Sequence, residues 1–192
     1  MPRAIFLDRD GVINKLIFNH FNNEFEPPHK AEDLNLYPWT LESLKLALDN
    51  DFKLFLVSNQ PDYAKGKCSL DDLKIVHKRL NEILFENHIT FTEYYYCYHH
   101  PAGKVDEYSG ECDCRKPKPY FLQKAKEKYN INMDESWMIG DRETDVICGK
   151  KAGVRTILVK SEEQKEVSGK QNSVSDFNAE NLLEGIKLII NH

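Results

Sequence analysis

Four short stretches of this 192-residue chain carry side chains suited to binding metal and to handling concentrated charge. Asp8-Arg9-Asp10-Gly11 sets two carboxylates two residues apart, beside a glycine that lets the backbone turn sharply. Val57-Ser58-Asn59-Gln60 offers a hydroxyl and two amides, and Arg115-Lys116-Pro117-Lys118 is basic. Gly140-Asp141-Arg142-Glu143-Thr144-Asp145 places acids at every second position from 141. Each has an ordinary reading by itself, as turn polarity or as acids favoured at a helix start. If Asp8, Asp10 and Asp141 converge, however, unpaired carboxylates repel, and a divalent cation with hard oxygen ligands such as Mg²⁺ relieves that repulsion.

A second constellation is Cys97-Tyr98-His99-His100-Pro101 with Glu111-Cys112-Asp113-Cys114. Three thiols and one imidazole suit a closed, tetrahedral structural zinc site. The C-x-H and C-x-C spacings are tighter than the usual C-x₂₋₄-C, and they do not choose between His99 and His100. The chain has five cysteines, an odd number, and clustered thiols in a reducing compartment point to metal before disulfides. Cys68 and Cys148 read as ordinary thiols. Cys114 immediately precedes Arg115 and Lys116, so a zinc clamp would hold those two cations in place.

These groups must be positioned by elements that alternate in period. Apolar runs of strand length cover residues 4–7, 54–57, 94–97, 137–139 and 156–159. Helical patterns cover residues 40–48, a segment capped by Ser69 with Asp72 three residues on, 119–129, 143–152 ending at Gly153, and 176–190. The expected fold class is α/β: a three-layer sandwich, Rossmann-like, around a central parallel sheet of about five strands. No separate cap domain is expected, residues 1–192 form one domain, and residues 97–116 form one zinc-binding loop. In such sheets ligands bind outside the carboxyl ends of the strands. The irregular segments 11–39 and 98–116 begin at those ends and should border the site. Phe18, Phe21 and Phe25 read as a hairpin pinned onto the core in preference to a cover over the site. Residues 161–175 read as a mobile surface loop.

Composition excludes other classes. The 26 basic and 31 acidic residues leave a net charge of −5, against a general nucleic-acid footprint. Lys124, Lys126 and Lys128 alternate with Glu127 on an expected helix and read as a solvated face. Mean hydropathy is −0.59, and no apolar run approaches the roughly 18–20 residues that span a bilayer. The start of the chain lacks the pattern of a signal peptide. The expectation is a cytoplasmic monomer with a small-molecule substrate and neither a membrane nor a nucleic-acid partner. His20, His29, His77, His88 and His192 show no partner in the sequence.

Four motifs in order resemble the haloacid dehalogenase superfamily of phosphohydrolases. D-x-D-x-(T/V) stands as Asp8-Arg9-Asp10-Gly11-Val12, the strand ending in Ser or Thr as Ser58, the lysine as Lys116, and G-D-x-x-x-D as Gly140 to Asp145. The resemblance implies that Asp8 is a nucleophile forming an aspartyl-phosphate and that Asp10 is its acid and base. It implies Mg²⁺ on Asp8, the Asp10 carbonyl and Asp141, with Ser58 and Lys116 on the transferring oxygens and Asp145 bracing the site. C-x-H-H-P followed by C-x-C-R-K-P narrows this to the zinc-bearing phosphatases of histidinol phosphate and of D-glycero-D-manno-heptose 1,7-bisphosphate. By that resemblance Zn²⁺ sits on Cys97, His99, Cys112 and Cys114. The long loop between the ligand pairs and the Asn-Gln after Ser58 favour the heptose branch, with Asn59, Gln60, Arg115 and Arg142 facing a sugar phosphate. Ser58 in place of the commoner Thr, Pro61-Asp62 in place of Ser-Gly, and a long 11–39 segment depart from that branch. They leave the substrate, its anomer, and the alternatives of histidinol phosphate or a nucleic-acid end open.

Overall fold

A computed structural model describes residues 1–160 and 175–192. The helices and strands alternate as expected: β1 (Arg3–Leu7), β2 (Ile17–Asn19), β3 (Glu24–Glu26), α1 (Thr40–Asp49), β4 (Phe52–Asn59), α2 (Leu70–Glu86) and β5 (Glu93–Cys97) come first. They are followed by α3 (Tyr120–Tyr129), β6 (Trp137–Gly140), α4 (Glu143–Ala152), β7 (Arg155–Val159), β8 (Phe177–Ala179) and α5 (Leu182–Ile190). The main sheet is wholly parallel, in the order β5-β4-β1-β6-β7-β8. Counting only its own strands, that is the 3-2-1-4-5-6 order of a doubly wound fold, whose crevice opens between the first and fourth. Here the crevice lies between β1 and β6, the strands that run into Asp8 and Asp141.

The strands are buried on both faces, which is why they read as continuous apolar runs. Ile5 and Leu7 of β1 pack on one face with Leu54 and Leu56, under Leu44, Leu80 and Ile186 from α1, α2 and α5. Ala4 and Phe6 turn to the other face with Phe55 and Val57, under Leu122 and Ala125 of α3. Side chains alternating across a strand thus make two cores from one sequence run.

The sheet has six strands where about five were expected. Phe177–Ala179 pairs with β7 through Ile157, Leu158 and Val159, although its residues continue a helical pattern. The closing helix consequently begins at Leu182, not at 176. Asn181 accepts the Glu184 N–H at 3.0 Å, and the Glu184 carboxylate accepts the Glu180 N–H at 2.7 Å. These reciprocal bonds satisfy the helix's first donors and stop it from extending backwards. Ser69 and Asp72 form the anticipated capping box at α2, and Gly153 ends α4 at φ +80°. Pro119 is the N-cap residue of α3, one position before the first turn where it was expected. The expected 161–175 loop falls outside the described residues except for Ser175.

The hairpin at residues 17–26 exists, but it is not pinned on the core. β2 and β3 pair antiparallel with no buried residue in either strand, and Phe21 at the tip is fully exposed. Phe18 and Phe25 pair with each other instead, ring centroids 5.1 Å apart.

Leu56 is completely buried at the centre of the sheet. Leu56→Ala should cost about 2–5 kcal/mol of stability with an unchanged denaturant slope, measured by urea unfolding. A loss below about 1 kcal/mol would show that the core does not depend on this strand as described.

Candidate active site

The strands deliver their polar ends to one place. Beyond β1, Asp8 is anchored through its own N–H to the Ile139 carbonyl at 3.0 Å, which ties it to β6. The chain then turns tightly, the Arg9 carbonyl receiving N–H groups from Ile13 at 2.8 Å and Asn14 at 3.1 Å. Gly11 takes φ +87° in that turn, and a side chain there would strike Asp141 Oδ2 at 2.3 Å. The backbone at 10–11 and the Asp141 carboxylate therefore approach closely only because position 11 has no Cβ.

Lys116 lies at the centre of the site, 3% exposed. Its ammonium reaches Asp8 Oδ1 at 2.8 Å, Asp145 Oδ1 at 2.7 Å and the Val57 carbonyl at 2.6 Å. Burial works to lower its pKa, but the charges of Asp145 and Asp8 outweigh burial and hold it above the ordinary lysine range. Asn59 grips the Lys116 backbone from both sides, accepting its N–H and donating to its carbonyl, each at 3.1 Å. The Lys116–Pro117 peptide is cis. Asp145 folds back across Gly140, where a Cβ would lie 2.2 Å from it, and its Oδ2 accepts the Arg142 N–H at 3.1 Å.

Oxygens of Asp8, Asp141 and Asp145 lie within 4.8 Å of one another, and all three residues are buried. Burial, then the charge of Asp8, pushes the Asp141 carboxyl well above the usual carboxylate range. Burial raises Asp145 to about 6, with Lys116 opposing. An all-oxygen donor set whose charges disfavour one another fits a hard divalent cation.

Behind the cavity sits a network that the sequence did not disclose. Arg9, 1% exposed, meets both oxygens of Asp10 and donates to Gln60 Oε1 at 3.0 Å. Gln60 donates to Asp10 Oδ2 at 2.6 Å and to Ser58 Oγ at 2.8 Å, and Asn14 donates to Asp10 Oδ1 at 3.0 Å. Gln60, expected to face a substrate, is therefore buried and committed to orienting Asp10 and Ser58. An arginine between two acids reads as surface charge, and nothing in the spacing signals its burial.

In front is a cavity of about 360 Å³. Asp8, Asp10, Asn59, Arg115, Lys116 and Arg142 border it, with Glu24, Phe25 and Glu26 of the hairpin, inside the 11–39 segment expected at the site, and Asp62, Lys65 and Lys67 of the loop after β4. Ser58, Gln60, Asp141 and Asp145 stand outside that border.

Beside it, Cys97, His99, Cys112 and Cys114 converge, their ligand atoms within 4.8 Å. The sulfurs of Cys97 and Cys114 are both 3.6 Å from that of Cys112, and His99 Nδ1 is 3.6 Å from Cys114 Sγ. Tetrahedral zinc with Zn–S near 2.3 Å separates its sulfurs by roughly 3.7 Å, which two of the three separations match, while Cys97 and Cys114 lie closer at 3.0 Å; the donor set of three thiols and one imidazole is the one that structural zinc takes. Burial, then the neighbouring Cys114, pushes the Cys97 thiol up, a cost that a cation removes. His100 is turned away and accepts the Ala102 N–H at 3.1 Å. Arg115 donates to the His99 carbonyl at 3.1 Å, joining the cluster to the cavity.

Comparison with known proteins agrees with this geometry. A family model described as HAD-hydrolase-like matches residues 113–185. The chain is 33% identical over 194 residues to the D-glycero-beta-D-manno-heptose-1,7-bisphosphate 7-phosphatase of Pasteurella multocida, covering 97% of this chain and 100% of that one. It is also 33% identical over 160 residues, 83% of each chain, to the D-glycero-alpha-D-manno-heptose-1,7-bisphosphate 7-phosphatase of Photorhabdus laumondii. The crystal structure of D,D-heptose 1.7-bisphosphate phosphatase from B. bronchiseptica, complexed with magnesium and phosphate, shares the fold. Its TM-score is 0.78 at 20% identity, with 98% of both chains covered.

Gly140→Ala tests the packing of the site without touching a charge. The new methyl must displace Asp145, so the variant should lose about 1–3 kcal/mol in urea unfolding. Wild-type stability would show that Asp145 does not rest against position 140.

Proposed function

The chain belongs to the heptose 1,7-bisphosphate 7-phosphatase family of haloacid-dehalogenase-type hydrolases, and on that premise we propose that it removes the 7-phosphate of D-glycero-D-manno-heptose 1,7-bisphosphate. The observation that carries this reading is Asp8 at the border of the cavity, its carboxylate 2.8 Å from the buried Lys116 ammonium.

Asp8 attacks phosphorus, the bond from phosphorus to the sugar oxygen breaks, and Asp10 protonates the departing alkoxide. The product left on the protein is an aspartyl-phosphate. Water then attacks that phosphorus, Asp10 takes its proton, and phosphate leaves with Asp8 restored. Arg9, Asn14 and Gln60 orient the Asp10 carboxylate at the cavity for these transfers. Lys116 and the Ser58 hydroxyl offset charge on the transferring oxygens. Asp8, the Asp10 carbonyl and Asp141 would hold Mg²⁺, which would supply neutralisation of the charge that the carboxylate and the phosphate bring together. Zn²⁺ on Cys97, His99, Cys112 and Cys114 is structural and holds Arg115 and Lys116 at the site. Arg115 and Arg142 border the cavity and suit a substrate with a second phosphate.

The chain matches relatives named for the α and the β anomer at the same identity, so identity does not choose between them. No helix among the described residues is long and apolar enough to cross a membrane. Lys128 pairs with Glu93 at 2.9 Å, which speaks against a basic face for nucleic acid.

Heptose 1,7-bisphosphate should exceed histidinol phosphate by at least about tenfold in kcat/KM, each anomer being assayed. Equal or reversed values would sink the sugar reading. Asp8→Asn should abolish Mg²⁺-dependent phosphate release by about 10³-fold or more, and undiminished turnover would dismiss the covalent mechanism. Removing zinc should lower both Tm and turnover. Full activity and unchanged Tm in protein shown by atomic emission to be zinc-free would contradict the clamp.

A further inference from the structure

The hairpin β2–β3 borders the cavity through Glu24, Phe25 and Glu26, yet none of its strand residues is buried. A two-stranded hairpin without a hydrophobic face is marginal in water. Something other than core packing must hold it at the cavity.

Two polar ties do so, both reaching the loop after β4. The Lys67 ammonium donates to Glu26, the last residue of the hairpin. Three residues further on, His29 Nε2–H donates to Asp62 Oδ2 at 2.9 Å, and Asp62 is 4% exposed. Burial works to raise Glu26, but hydrogen bonds from Lys67, Asn19 and Asn22 overcome it and bring Glu26 down to about 2, so it is a firmly ionised partner. The loop is itself fixed. Lys67 N–H donates to the Asp62 carbonyl at 2.8 Å, and the Ala64 carbonyl accepts Lys104 N–H at 2.6 Å from the zinc segment.

We propose that Lys67 and Asp62 are positioning residues that hold the hairpin as one wall of the cavity, so that substrate recognition depends on these two ties. This rests on the sugar-phosphatase reading for its kinetic arm alone.

The test uses Lys67→Glu, which sets like charges against Glu26, and the swap of Lys67→Glu with Glu26→Lys, which restores an opposite pair. Lys67→Glu should speed amide exchange of residues 17–26 by at least about tenfold, and the swap should return it to within about threefold of wild type. Lys67→Glu should raise KM for heptose bisphosphate by at least about tenfold with kcat changed less than about threefold, and the swap should reverse the rise. His29→Ala, which opens the second tie, should also speed exchange of the hairpin without lowering the global Tm. Unchanged exchange in the single variants overturns the proposal. A KM rise that the swap does not reverse, with exchange restored, also overturns it, because Lys67 would then act on substrate directly. Exchange is read without substrate, so a wild-type protein inactive on heptose bisphosphate would sink the functional reading and leave the ties to be judged by exchange.

Discussion

A buried ammonium is the constraint around which this molecule is arranged. Lys116 has three N–H groups and finds three acceptors, two carboxylates and a backbone carbonyl, in a place that water scarcely reaches. Isolated in such surroundings its charge would be prohibitive, whereas paired in this geometry it is held firmly protonated. The pairing makes demands in every direction. Asp8 must leave β1 and Asp145 must fold back from α4 at matching heights, which the parallel register of β1 with β6 provides. The lysine's own segment has no strand or helix to stiffen it, so Asn59 grips its backbone and the cysteine cluster ends two residues before it.

Most of that arrangement was legible in the sequence, for identifiable reasons. Strands buried on both faces leave unbroken apolar runs, and carboxylates at their ends stand out against them. Glu143–Ala152 followed by Gly153 carries its own stop signal. The four metal-type ligands share a short stretch, so their convergence needed little tertiary information. What escaped is just as specific. Phe177–Ala179 is a strand only because β7 lies open beside it, and three residues hold no period of their own. Arg9 looks like a solvent-facing charge and Gln60 like a substrate contact until the turn after β1 and the end of β4 bring both against Asp10. His29 and Asp62 are 33 residues apart, a separation that no local pattern bridges. The hairpin was expected from its three phenylalanines, but their presence does not say which face will find a core.

Division of labour follows from the topology. The groups suited to bond making sit at the ends of β1 and β6 on the central strands, where the sheet allows little play. The groups suited to choosing a substrate sit on loops: the hairpin, the turn after β4 and the segment leading from the cysteines to Arg115. Backbone bonds from Lys104 and Val105, within the cysteine loop, to the Ala64 carbonyl support the turn, and the Lys67–Glu26 ion pair and the His29–Asp62 hydrogen bond link the turn to the hairpin and to the chain just after it. Recognition is thus a chain of loops supported at one end by the cysteine cluster, while chemistry is supported by the sheet.

The close fit of Asp145 into the space over Gly140 has an evolutionary reading. One position has surrendered its side chain so that another's carboxylate can occupy the volume. Neither is then free to drift alone: a larger residue at 140 evicts the acid, and a shorter acid replacement at 145 leaves a void above a bare glycine. The two positions are thus constrained as a pair, five residues apart in sequence and touching in the protein.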